Sequence, residues 1–170
     1  MAKSFELQIQ NILDSKSTNN KRYHDSKKID MQRQLFLEAE AVRAWIQRFI
    51  ALYYESYTPS RYERTYAFRN SLESVQIKDN QAFIRFDPQM ARHNSLFKNG
   101  DGYVPSLINY GWRWKKAGTN IPRFTFYDGD RFLEDAISAY LSSTTFDMQI
   151  EVYGRDGNCN IYNKTHLPQK

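Results

Sequence analysis

Between Asp30 and Tyr54 the apolar positions Leu35, Ala39, Val42, Ile46, Phe49, Ile50 and Tyr53 recur every three or four residues, the spacing of one helix face. Asp30 suits the start, because its side-chain oxygens accept from otherwise unpaired backbone N–H groups, and Pro59 follows the end. Phe5, Ile9, Ile12 and Leu13 carry the same period and predict a short amphipathic helix over Lys3–Leu13. The stretch between, Asp14–Lys28, has Tyr23 as its one large apolar residue and reads as a basic flexible link, too polar to order itself. Arg61–Leu72 reads as a second, shorter helix with Tyr62, Thr65, Tyr66, Phe68 and Leu72 largely inward.

The period then changes to two. Val75 and Ile77 flank Gln76, and Ala82, Ile84 and Phe86 alternate with Gln81, Phe83 and Arg85, which predicts a hairpin turning at Lys78-Asp79-Asn80. Asp87-Pro88 breaks it, and Met90–Gly102 is loop-like. Tyr103–Tyr110 predicts one or two helical turns ended by Gly111, and Trp112–Phe126 reads as a long irregular stretch. Phe132, Leu133, Ala136, Ile137, Tyr140 and Leu141 form another helical stripe, with Asp130 as the expected cap. Phe146, Met148, Ile150 and Val152 alternate with Asp147, Gln149 and Glu151 as a last strand. The expected fold is α+β: a small antiparallel sheet, the hairpin plus a C-terminal strand, packed against a long helix and shorter helices. Residues 1–29 read as an N-terminal helix and basic flexible arm, 30–153 as the core domain, and 154–170 as a polar C-terminal tail.

Composition changes this picture in two ways. Aromatic residues are 15% of the chain, with 12 Tyr and 11 Phe, more than a core of this size hides with every hydroxyl satisfied, so some belong at interfaces. The net charge of +5 favours acidic or polyanionic partners, but only modestly. The single cysteine, Cys159, excludes an intrachain disulfide, and no apolar run is long enough to span a bilayer, so no membrane partner is expected.

Candidate chemistry is thin. His24, His93 and His166 lie in three separate polar segments without metal-ligand spacing. Asp128, Asp130 and Glu134 are too few for a calcium loop, and a capping Asp130 with a solvated Glu134 explains them. Asn99-Gly100-Asp101-Gly102 lacks the lysine of a phosphate loop. Ser71, Ser74 and Cys159 have no neighbouring His to activate them. Glu38 and Glu40 are two apart on the long helix, do not share a face, and read as solvated. No enzyme activity, metal or cofactor is expected.

Tyr110-Gly111-Trp112-Arg113-Trp114-Lys115-Lys116 interleaves aromatics with cations. Such a run serves as a protein interface, where Trp, Tyr and Arg dominate binding, as ordinary packing, or as a surface that stacks bases and neutralises phosphates. The basic residues Lys16, Lys21, Arg22, Lys27 and Lys28 of the arm, with Lys115 and Lys116, are the candidates for a nucleic-acid or channel-lining role.

Taken in order, several blocks resemble the tail-completion, or head–tail connector, proteins of long-tailed double-stranded DNA bacteriophages. Tyr62-x-Arg64-Thr65 followed by Leu72 is similar to the family's Arg-Thr helix end, with Ser71 or Ser74 as the serine before its first strand. Tyr103 followed by Leu107-Ile108-Asn109-Tyr110-Gly111 is similar to its short helix ending in glycine, and Arg131-Phe132-Leu133-Glu134-Asp135-Ala136-Ile137 to its Phe-Leu-x-x-Ala helix start. The resemblance covers about Met31 to Val152. The chain departs from the pattern at Tyr66, where the family often has Gly, at Asn109, where it often has an acid, and at Trp112, where Thr is usual.

The resemblance implies a structural virion protein of the neck, assembled in the host cytoplasm. It would form a homo-oligomeric ring, often sixfold, that completes the tail or joins it to the connector. Its partners would be sibling copies, other connector, portal or tail-tube proteins, and transiently the genomic double-stranded DNA. Tyr62, Arg64, Tyr110, Trp112, Arg113 and Trp114 are then the expected interface residues. The alternative is a sequence-tolerant nucleic-acid-binding protein that uses its basic arm and Trp/Lys-rich loop.

Overall fold

The structure is a computed structural model that describes residues 6–10, 21–56, 66–92, 103–114, 125–127, 129–154 and 159–167, with 6–10, 21–27, 112–114 and 125–127 placed as backbone. The elements in order are β1 (Glu6–Gln10), α1 (Lys21–Glu55), α2 (Ala67–Asn70), β2 (Gln76–Lys78) and β3 (Gln81–Arg85). They continue with α3 (Val104–Tyr110), β4 (Trp112–Trp114), β5 (Thr125–Tyr127), α4 (Phe132–Ser143), β6 (Gln149–Tyr153) and β7 (Cys159–Tyr162). The fold is α+β.

The main sheet has five strands in the order β2-β3-β1-β6-β7, every described pairing being antiparallel. The expected hairpin is present, and Asp79 and Asn80 both take positive φ (50° and 60°), as a two-residue turn matched to strand twist requires. The centre of the sheet is β1, not the helix expected over Lys3–Leu13. Leu7 pairs with Ile84 on one side and Val152 on the other, and Ile9 with Ala82 and Ile150. Glu6-Leu7-Gln8-Ile9-Gln10 alternates strictly, and two waiting strand edges outweigh the competing helical spacing of Phe5, Ile9 and Ile12.

α1 begins at Lys21, so the basic link read over Asp14–Lys28 is helical in its second half, and residues 11–20 lie outside the described part. Adding a turn to an existing helix fixes few dihedrals per hydrogen bond, so a polar start can propagate from a packed middle. Leu35, Ala39, Val42, Ile46 and Ile50 of α1 are buried, as the stripe predicts. They meet α4 and the inner face of the sheet, where Ala82, Ile84, Phe86, Ile150 and Val152 are buried. Phe68, Phe86 and Phe132 close one end of this core, with ring centroids 5.7–6.4 Å apart. Offset and edge-on pairs of this kind add about 0.5–1.5 kcal/mol each beyond burial.

Three further expectations change. Of the helix read over Arg61–Leu72, α2 accounts for Ala67–Asn70, and residues 57–65 lie outside the described part. Within the irregular stretch Trp112–Phe126, β4 and β5 pair as a two-stranded ribbon. The polar tail contains β7, whose Tyr162 stands opposite Ile150, so one half-buried aromatic secures a strand in a polar segment. Among the described residues no helix is long and apolar enough to cross a membrane.

Glu38 and Glu40 are not merely solvated. Glu40 accepts from the Val75 N–H (3.4 Å) and pairs with Arg43, which in turn donates to the Glu73 carbonyl (2.7 Å), tying α1 to the strand that enters the hairpin. Glu38 accepts from the Tyr140 hydroxyl (2.5 Å) and from the Thr144 hydroxyl (3.4 Å), tying α1 to the end of α4. Burial, and then the bond to Glu38, push the Tyr140 phenol above its ordinary value. Tyr140→Phe is expected to lose about 1.5–3 kcal/mol of stability in urea unfolding, the usual worth of a hydrogen bond to a charged group. Glu38→Gln, which keeps an acceptor, should lose less.

Candidate interaction surface

α3 is a two-turn helix whose Pro105 sits where its missing N–H costs nothing, and its chain end points into the start of α4. Asn109, fully buried at the last turn, makes the decisive contacts. Its Oδ1 accepts from the Leu133 N–H (2.9 Å) and its Nδ2 donates to Glu134 Oε2 (2.7 Å). The first-turn N–H groups of a helix lack partners within it, and here one is satisfied from another element. The cap expected from Asp130 is absent. Arg131 holds the N-cap position in a left-handed conformation (φ 51°) without a side-chain bond, and the capping oxygen comes from Asn109. Glu134, read as solvated, is 5% exposed and committed to the Asn109 amide. A carboxylate in the first turn of α4 is also favoured by the helix dipole.

The same contact pins the base of the β4–β5 ribbon. The chain leaves α3 through Gly111 (φ 78°) and returns through Gly129 (φ 88°). A Cβ on Gly129 would lie 2.5 Å from the Asn109 carbonyl oxygen and 2.6 Å from the Gly111 nitrogen, so only glycine fits there. The Asp130 N–H donates to the Ile108 carbonyl (2.7 Å) and the Arg131 N–H to the Asn109 carbonyl (3.1 Å), which satisfies the end of α3. From this clamp the ribbon runs out with Trp112 opposite Tyr127, Arg113 opposite Phe126, and Trp114 opposite Thr125. Among the described elements the two strands contact chiefly each other.

Of the expected interface residues, Tyr110 is exposed beside the clamp, and Trp112, Arg113 and Trp114 form β4. Tyr62, Arg64, Lys16, Lys115 and Lys116 lie outside the described residues, as do His93, Asp128 and residues 99–102. Lys21, Arg22, Lys27 and Lys28 belong to the first turns of α1. They do not join the ribbon base in one patch. Tyr54 near the far end of α1 stacks on Phe68, which meets Phe132 at the start of α4. Lys28 and Tyr54 are 26 residues apart, about 39 Å along a helix rising 1.5 Å per residue. Among the described residues no group of three or more His, Cys, Asp or Glu is arranged to hold a metal ion.

Two titrating groups feel this junction. Burial, and then the Glu134 carboxylate, hold the Tyr162 phenol above its ordinary value, with Arg131 opposing. Burial, and then the Asp135 charge, raise the Asp130 carboxyl above its usual 3.8. Set against known proteins, the chain matches no family model, no curated protein and no solved structure.

Sequence reasoning missed Asn109 as a cap because the helix it serves begins 23 residues later, and no local spacing encodes that. Asn109→Asp would set a second carboxylate against Glu134. We expect a loss of about 3 kcal/mol or more at neutral pH, recovered in part under acid, and recovered at neutral pH by adding Glu134→Gln. Thermal melts across pH check this. Asp130 gives a second test. Its folded carboxyl has a raised affinity for protons, so the stability it contributes is fully present below about 3.8 and is lost as pH rises through the folded value. Asp130→Asn should therefore raise Tm at pH 7 and leave it unchanged in strong acid.

Proposed function

We propose that this chain is a structural virion protein of the phage neck, without catalytic activity. It assembles through the β4–β5 ribbon and the clamp beneath it into a ring that completes the tail or joins it to the connector. The observation that carries the reading is that the blocks behind the resemblance meet at one place. Phe68, in the first block, lies 5.7 Å from Phe132 in the third, and Asn109 in the second bonds to Leu133 and Glu134 in the third. Two departures from the family pattern also acquire physical reasons. Tyr66 stands where the family often has Gly, and its φ of 53° is the left-handed conformation that glycine favours. Asn109 stands where the family often has an acid, and its neighbour Glu134 already supplies the carboxylate.

The chemistry of the ribbon fits this role. Trp and Tyr give large contact area for little lost side-chain entropy, and Arg adds directional hydrogen bonds. A base that is pinned before docking leaves less conformational freedom to lose on binding. A head-to-tail contact that closes on itself makes a ring and leaves each copy two different faces for its neighbours. Residues 112–127 carry Arg113, Lys115, Lys116 and Arg123 with no carboxylate, a charge balance that suits contact with DNA.

The test is light scattering and negative-stain microscopy of the purified chain, alone and mixed with portal, connector and tail-tube proteins from the same genome. Ring-sized particles that are lost in the Trp112→Ala, Trp114→Ala double variant are the expected result. A chain that stays below ring size in every mixture overturns the reading. Strong salt-sensitive binding to short DNA by that chain would favour the nucleic-acid alternative.

A further inference from the structure

α1 has a second face. Opposite the buried stripe, Leu37 (53% exposed) and Leu52 (48% exposed) stand on the solvent side of the helix with exposed Ala44 between them. Leu37 lies seven residues before Ala44 and Leu52 eight after, so the pattern reads nearly the same in both directions from Ala44. The two leucines are 15 residues apart, about 22 Å along the helix. Ala41 and Arg48 fall between them at the same helical spacing. Arg33 and Glu55, both exposed, lie eleven residues before and eleven after Ala44.

We propose that this face packs against the same face of a second copy, the two α1 helices running antiparallel about a two-fold axis at Ala44. Antiparallel pairing sets Leu37 of one copy against Leu52 of the other at both ends, with the small side chain of Ala44 on the axis, where the helices come within about 8–10 Å. It also sets Arg33 of each copy beside Glu55 of the other. Parallel pairing would instead set Arg33 on Arg33 and Glu55 on Glu55, so charge chooses the antiparallel sense. The contact is isologous: it uses the same surface on both copies and closes at two. It is therefore separate from the head-to-tail contact that a ring needs, and it stands whether or not the neck reading holds.

The test is cysteine cross-linking of the full chain in a Cys159→Ser background. Ala44→Cys should give a disulfide-linked dimer on mild oxidation. Leu37→Cys alone should give little, whereas Leu37→Cys mixed with Leu52→Cys should give the mixed dimer. Arg33→Glu should lower the Ala44→Cys yield several-fold, and adding Glu55→Arg should restore it. No Ala44→Cys dimer, a strong Leu37→Cys homodimer, or a yield indifferent to Arg33→Glu would each overturn the pairing.

Discussion

One buried amide holds the two halves of the candidate surface together. Asn109 uses its oxygen to satisfy the start of α4 and its nitrogen to neutralise the need of a buried Glu134 for a partner. Without those bonds, α4 would begin with an unpaired N–H beside an unpaired carboxylate, each costly in a desolvated site. With them, α3 and α4 meet at fixed geometry, Gly111 and Gly129 are held back to back, and the ribbon between them leaves from a rigid base. The backbone of β4 thus leaves α3 at a point fixed by the Asn109 contacts.

Helical elements were legible from their periodicity to the extent that they bury a stripe. The Leu35–Ile50 stripe and the Phe132–Leu141 stripe are both in the core, and the Asp79-Asn80 turn sits where its residue types place it. What failed was local reading of non-local pairing. β1 carries clear alternation, Leu7 and Ile9 between polar neighbours, but its place between β3 and β6 depends on strands over 70 residues away. β4, β5 and β7 are three or four residues long, shorter than periodicity can identify. The start of α1 has almost no apolar signal and is helical because the segment after it is.

The candidate surface was legible as chemistry and not as architecture. Alternating Trp, Arg and Lys after Gly111 marked the segment, while its form as a ribbon and its attachment to α4 emerged only from pairing and capping across the chain. The carboxylates show the opposite error. Glu38, Glu40 and Glu134 each looked like solvated charges, and each instead joins two elements through hydrogen bonds. A sequence lists charges, whereas the fold decides which of them meet a donor.

The ribbon can leave from a fixed base only if the clamp is as firm as the core. Native-state hydrogen exchange resolved to single amides measures this directly. The Asp130, Arg131 and Leu133 amides are expected to exchange as slowly as those of Ile84 and Ile150 in the sheet, opening only with global unfolding. Exchange of these three amides at the rate of frayed loop residues, while the sheet stays protected, would contradict it.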